Sequence, residues 1–501
     1  MQEEPMSPSG HRIPRPLWRT LAGCAAGLAT LLATVTPATA APTATPTPLS
    51  LADAVAAALA NAPGLRQAQT EARAARAQVD GVRARFGPTV DVDGKLLLWN
   101  DASTLTVVDP SSIDLSSIPA PFDTALAGVL SAVGDPIPLR DQVTGEINVT
   151  VVQPLTDLYR VDRGVRLAEA GAAAADVQLD LARRELVYTV TETYLGLVAA
   201  RELTAVAADA ERVIAAHVSD AERLASAGLV SDAQVLAARA ELARAHGQRV
   251  QADSGVALLT ARLAQLVAPD GDLAPVPTHT HLGPVDAPLL TRDAARDHAA
   301  AHRDELRLLD HARDAQRARA DLATWERVPR VAAVARYTHS GGVSLNPDDS
   351  VFIGATLTWR AFDWGAREAD IDAADLALDA LNDRRSAVAH DLRLQVEQRW
   401  LALDAARAHA VAAEAAVTAA VEGQRAARAA FAVGEAASTE VLDAEVRLSG
   451  ARATLVEARA RGQIALAALR LALGPPYLPT SSDDELAPTP DPVPAPQEAT
   501  R

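Results

Sequence analysis

Few residues of this 501-residue chain are placed to do covalent or metal chemistry. His298 and His302 stand four apart in "HAAAH". On a helix that spacing puts both imidazoles on one face, as zinc hydrolases do, but the glutamate that would serve as general base is missing. A solvated helix face is therefore the preferred reading over a metal site. His279 and His281, in "HTH", lie in a Pro-rich connector and read as loop. The sequence contains no G-x-S-x-G elbow and no phosphate-binding loop. The single cysteine, Cys24, rules out an internal disulfide framework. These residues give no support to an enzyme, a cofactor site or a metal site.

Composition points to architecture. Aromatic residues make up 3% and alanine is abundant, which favours long helices over many small β domains. A net charge of −17 argues against a nucleic-acid surface, because phosphate contact needs clustered Lys and Arg. His11, Arg12, Arg15 and Arg19 form a basic n-region. Leu21–Val35 is an apolar h-region, and Ala38-Thr39-Ala40 is a small-residue cleavage site. Residues 1–40 thus read as a secretory signal, too short for a transmembrane helix. "LAGC" (Leu21–Cys24) also matches a lipoprotein cleavage box. The apolar stretch mostly follows the cysteine rather than preceding it, which favours a small h-region residue over a lipidated one.

The chain repeats itself. "GLVSDAQVLAARAEL" from Gly228 and "GEAASTEVLDAEVRL" from Gly434 share Gly, six residues, Val-Leu, one residue, Ala, three residues, Leu, at an offset of 434 − 228 = 206. Tyr194 to Trp400 and Asp157 to Asp363 keep that offset. Pro88 to Pro329 and Leu65 to Leu306 give 241, so the first copy carries 241 − 206 = 35 extra residues, placed in the loop-like tract 101–141. The expected organisation is a first repeat over 41–269, a Pro-rich connector over 270–289, a second repeat over 290–475 and a disordered acidic, Pro-rich tail over 476–501.

Each copy orders its parts alike. Short helices (Leu49–Pro63 and Gly64–Phe86; about Leu290–Trp325) end at Gly-Pro or Pro breaks. Strands follow. In "VTGEINVTV" Val143, Ile147, Val149 and Val151 alternate with Thr144, Glu146, Asn148 and Thr150. "VFIGATLTW" (Val351–Trp359) and "TVDVDGKLL" (Thr89–Leu97) alternate too, and Arg330–Thr338 does so weakly. Period two fits a soluble sheet on a core or a membrane barrel with lipid outside and water inside. Trp99 and Trp359 at strand ends would suit an aromatic girdle. Four strands cannot close a membrane barrel, whose minimum is eight, and an open edge is not viable in lipid. If these strands are in a membrane, several chains must share one barrel. Proline-free helical tracts follow the strands, about Val161–Ala227 and Ala366–Val433, each with a return helix, about Ser231–Val267 and Ser438–Leu473. Leu179, Leu186, Val190, Leu197 and Val198 carry coiled-coil spacing. Gly228 and Gly434 are the expected left-handed turns of two hairpin tips, with Ser231 or Asp232 and Ser438 as N-caps.

Over about Leu49–Pro475 the sequence resembles the TolC-type outer-membrane efflux proteins. The resemblance is carried by "LSLADAVAAALANAPGL", "TWRAFDWGAREADI" and "VGEAASTEVLDAEVRLSGARATLVEARA" followed by "LALG". It implies an α+β membrane protein built from a duplicated chain. Four strands per protomer would join a shared trimeric transmembrane β-barrel, continued by a long α-helical coiled-coil barrel through the periplasm. It further implies a passive exit duct working with an inner-membrane pump and a periplasmic adaptor (membrane fusion protein), with outer-membrane lipid as surroundings and no nucleic acid. By motif alignment the entrance residues fall on Glu440, Asp443 and Phe431, with Gln234 at the first tip. Ala436 stands where a family example has a gate-locking basic residue, so that salt bridge is not expected here. Three copies of Glu440 and Asp443 around an axis would repel one another and attract cations. The plain alternative is a pair of acids favouring a helix N-terminus. The rival for the whole chain is a soluble periplasmic coiled-coil adaptor.

Overall fold

The computed structural model describes residues 46–477 apart from 107, 108, 110, 111, 117, 135, 136, 229, 270, 272, 289, 345 and 434. The expected signal segment, Cys24, Gly434 and nearly all of the acidic tail lie outside the described residues.

A short strand, β1 (Pro46–Leu49), leads into α1 (Leu51–Asn61), capped by the Ser50 hydroxyl accepting from the Asp53 N–H at 3.1 Å. α2 (Pro63–Arg83) starts at a proline, which costs nothing where the N–H has no helical partner. Next come β2 (Thr89–Leu98), β3 (Ser103–Leu105), α3 (Phe122–Gly134) and β4 (Ile137–Pro154). The tract expected to be loop, 101–141, therefore holds a strand, a helix and the start of β4. Its helix is short and hemmed by prolines, so periodicity alone does not announce it.

The 69-residue α4 (Leu158–Ser226) spans roughly 100 Å at 1.5 Å per residue. α5 (Asp232–Val267) returns along it. β5 (Ala274–Pro277) pairs in parallel with β1. The second half repeats the order: α6 (Arg292–His302), α7 (Asp304–Trp325), β6 (Arg330–Val343), β7 (Asp349–Thr358), α8 (Ala366–Ala432) and α9 (Ser438–Leu473). Ser438 is the first residue of α9 and Ala437 its N-cap, one position earlier than expected.

Strand order is β2-β4-β6-β7, all antiparallel, with β3 beside the start of β4. β2 and β7 are the free edges, ten residues each. At the bulge between β4 and β6, Gly342 has φ +84° and an added Cβ would meet the Val143 carbonyl oxygen at 2.3 Å, so only glycine fits.

The two largest cores among the described residues lie in the helical body. In one, Ala54 and Ala58 of α1 pack on Val190 and Leu197 of α4 and Leu263 of α5. In the other, Ala295 and Ala299 of α6 pack on Val396 and Leu403 of α8 and Leu469 of α9. These residues correspond pairwise at the offsets 241 and 206 read from the sequence. Each core also seals the end of its return helix, whose last carbonyls have no helical partner. Asn61 donates to the Val267 carbonyl at 2.9 Å in one, and Arg303 to Leu471 and Ala472 at 3.2 and 2.7 Å in the other.

Candidate functional site

The sheet is built inside out for a water-soluble protein. One face carries Val92, Leu96, Ile147, Ile353 and Leu357, all exposed, Ile353 at 83%. The opposite face is mainly polar and is enclosed along β4: Asn148, at 5% exposed, donates to Asp93 at 2.9 Å and accepts from the Thr338 hydroxyl at 2.7 Å. Arg336 Nε donates to the Thr150 hydroxyl at 3.0 Å. A soluble sheet would hide the first face and wet the second. Lipid outside and water inside reverses the demand. Among the described residues no helix is long and apolar enough to cross a membrane.

The aromatic side chains sort themselves by face. Trp359 is exposed, with its indole N–H on the Arg327 carbonyl at 3.2 Å, and stands near exposed Phe362 and Trp364 at the helical end of the sheet. Trp99 does not join them. Its indole donates to Thr144 on the polar face at 3.0 Å, and Arg140 stacks over its ring at 3.8 Å. The strand parity explains this, because Leu98 opposes outward Val143 and the next residue must point inward.

At the far end of the helices lie the hairpin tips. Gly228 turns the first with φ +76°, its N–H on the Ala225 carbonyl at 2.9 Å. Ser231 is the N-cap of α5, and the Gln234 amide oxygen reaches back to its N–H at 3.4 Å. In the second tip the Glu440 carboxylate makes the matching contact to the Ala437 N–H, also at 3.4 Å; alanine supplies no reciprocal acceptor. Asp443 is exposed and lines a groove of about 730 Å³ between α4, α5 and α9, with Leu442, Ile214 and Arg244. Phe431 is half-buried on α8. Glu440 and Asp443 thus share one helical turn, whereas Gln234 belongs to the other hairpin and caps it independently. Glu440 and Asp443 form no ion pair among the described residues, which leaves their charge facing solvent.

The tips also hold residues that motif reading passed over. Arg239 of α5 clamps Glu222 of α4 at 2.7 Å; Arg428 of α8 clamps Glu445 of α9 at 2.9 Å through Nε, with Gln424 adding 2.6 Å. Adding 206 to the first pair gives the second with the signs exchanged. That arithmetic on charged residues is the signal that could have found them. The two hairpins are joined by Ile214, Ala245 and Leu442 and by Arg452 to Asp209 at 3.1 Å. Burial holds the His217 imidazole on α4 below its ordinary 6.5, with Asp220 and Glu445 opposing the shift.

The histidine pairs serve structure. His298 Nε2 contacts the Pro475 carbonyl at 2.8 Å and stacks on His302. His279 meets the Tyr194 hydroxyl at 3.0 Å, and His281 sits 3.2 Å from Glu202.

An inside-out sheet standing on long helical hairpins defines an outer-membrane channel protein of the TolC type. The sequence model described as "outer membrane efflux protein" matches residues 54–268 and 295–475, and the chain belongs to that family. It is a family of channels rather than of enzymes. The chain is an outer-membrane efflux channel whose helices extend into the periplasm. Among curated proteins none matches significantly. Solved structures share the fold. CusC is 17% identical, with TM-score 0.69 over 85% of this chain and 92% of that one. VceC, an outer membrane protein of Vibrio cholerae, is 18% identical, with TM-score 0.67 over 85% and 96%. The Campylobacter jejuni outer membrane channel CmeC is 16% identical, with TM-score 0.69 over 86% and 87%.

Proposed function

We propose that three copies of this chain close one twelve-stranded barrel and one helical tunnel. Together they form the exit duct of a tripartite system completed by a periplasmic adaptor and an inner-membrane pump. The observation that carries the reading is the inverted sheet with two unpaired edges. In lipid those edges must pair, and β2 of one copy runs antiparallel to β7 of the next. The helices support it. Their order across the wall is α5, α4, α9, α8, and the outer two expose apolar residues along their length: Leu236 and Leu258 on α5, Leu376, Leu394 and Val411 on α8.

Solute enters between the hairpin tips and leaves through the barrel. Glu440 and Asp443 from three copies ring the entrance with six carboxylates, which favours cations there. Phe431 and Gln234 lie beside that ring as entrance residues, and Gly434 would turn the second tip as Gly228 turns the first. The organisation into a cleaved leader, two repeats with a connector, and a tail accompanies this reading.

The test is conductance of the purified protein in planar bilayers. Discrete channels with cation preference are expected, and Glu440→Ala with Asp443→Ala should lower that preference several-fold. Unchanged selectivity would remove the two acids from the entrance, and a protein that forms no channels would overturn the duct itself.

A further inference from the structure

The tract between β3 and β4 has no counterpart in the second half, and among the described residues no element packs closely over the apolar side of its helix α3. Phe122, Leu126, Val129 and Val133 follow one another at four, three and four residues and are all exposed, Val129 at 59%. That spacing is the seam of a coiled coil, flanked by Ala125 and half-buried Leu130. The opposite side carries Thr124 and Ser131.

The root of the tract fixes where the helix stands. The helical body adjoins the Thr89, Pro154, Arg330 and Thr358 ends of the strands, so α3 lies beyond the other end, at the outer mouth. The chain leaves edge strand β2 through Trp99, which is pinned to Thr144 on the polar face and covered by Arg140. Arg140 in turn donates to the Asp101 carbonyl at 3.3 Å. The insertion therefore starts on the water side of the sheet, next to the neighbouring copy.

Lipid is the wrong occupant for the seam. Residues 100–136 contain five aspartates and no lysine or arginine. A helix lying on a phosphate-bearing leaflet uses basic residues on its polar face. A second and third copy of the same seam match it in shape, and the barrel tethers all three at high effective concentration.

We infer that the α3 helices of three copies pack seam to seam as a cap that narrows the outer mouth of the channel. The inference rests on the trimeric reading above. Its test is Val129→Cys, oxidised in native membranes and run on a non-reducing gel. Ser131→Cys on the opposite face is the control, and both variants keep Cys24. The cap predicts disulfide-linked dimers from Val129→Cys approaching about two-thirds of the chains, the ceiling for pairwise bonds in a trimer, and few from the control. The mass of each detergent-extracted variant separates the two ideas. A trimer that yields no Val129→Cys dimer overturns the cap alone, and a monomer overturns the trimer and the cap with it. A nitroxide at position 129 relaxed by oxygen rather than by a water-soluble nickel chelate would place the seam in lipid and also overturn the cap.

Discussion

Arg303 is 7% exposed and has more to satisfy than any surface arginine. It holds the α9 carbonyls, Gln395 at 3.1 Å and Glu305 at 2.8 Å, where α6 bends into α7. Removing it strands a carboxylate and two helix-end carbonyls. Arg303→Ala should therefore cost about 3 kcal/mol, measured as a lowered unfolding midpoint in detergent. Glu305 gives the knot a pH dependence. Burial alone would raise its carboxyl, but the Arg303 hydrogen bond and charge, with Arg184, outweigh that and hold it below the ordinary 4.5. A depressed carboxylate contributes stability that is full above its unfolded value and lost as pH falls through the folded one. Thermal stability should accordingly drop on acidification below about pH 4.5, and Glu305→Gln should flatten that limb. An unchanged acid limb would put the sensitivity elsewhere.

The hairpins are held by the exchanged ion pairs, and their polarity makes them separable by mutation. Arg428→Glu sets a second carboxylate against Glu445, whose side chain is only 10% exposed, and should loosen the second tip by about 1–2 kcal/mol. Adding Glu445→Arg should restore most of it, which hydrogen exchange at the tip would read. A double variant as loose as the single would show that packing, not charge, closes the hairpin. Gly228→Ala should cost about 1 kcal/mol for the left-handed turn.

Much of this was legible beforehand. Long proline-free tracts, Gly at the turns and the 206 offset placed α4, α5, α8 and α9 within a few residues. The rest was not. Period two shows that a strand has two faces but not which one is wet, so Ile353 outward and Asn148 inward had to be seen. Trp99 looked like a girdle residue because its direction depends on register, which a single strand does not reveal. α3 escaped because thirteen residues between prolines give no length by which to tell helix from loop. Of the residues proposed for the entrance, Glu440 and Asp443 were readable as acids at the start of one helix, but the sequence could not show that Glu440 spends one oxygen on its own backbone.

The channel as a whole follows from how the faces of the sheet are solvated. A charge on the outer face should be costly and one on the inner face tolerated. Ile353→Arg should weaken the folded barrel by ~2–4 kcal/mol at mid-bilayer depth, whereas Ser350→Arg should insert and alter conductance. Equal effects on folding would mean the apolar face does not meet lipid. The central claim is that this sheet is a third of a barrel. The mass of the protein extracted from outer membranes, determined by light scattering with the detergent contribution subtracted, tests it directly. Three chains per particle is the predicted result. One chain per particle, stably folded with both β2 and β7 unpaired, would contradict it.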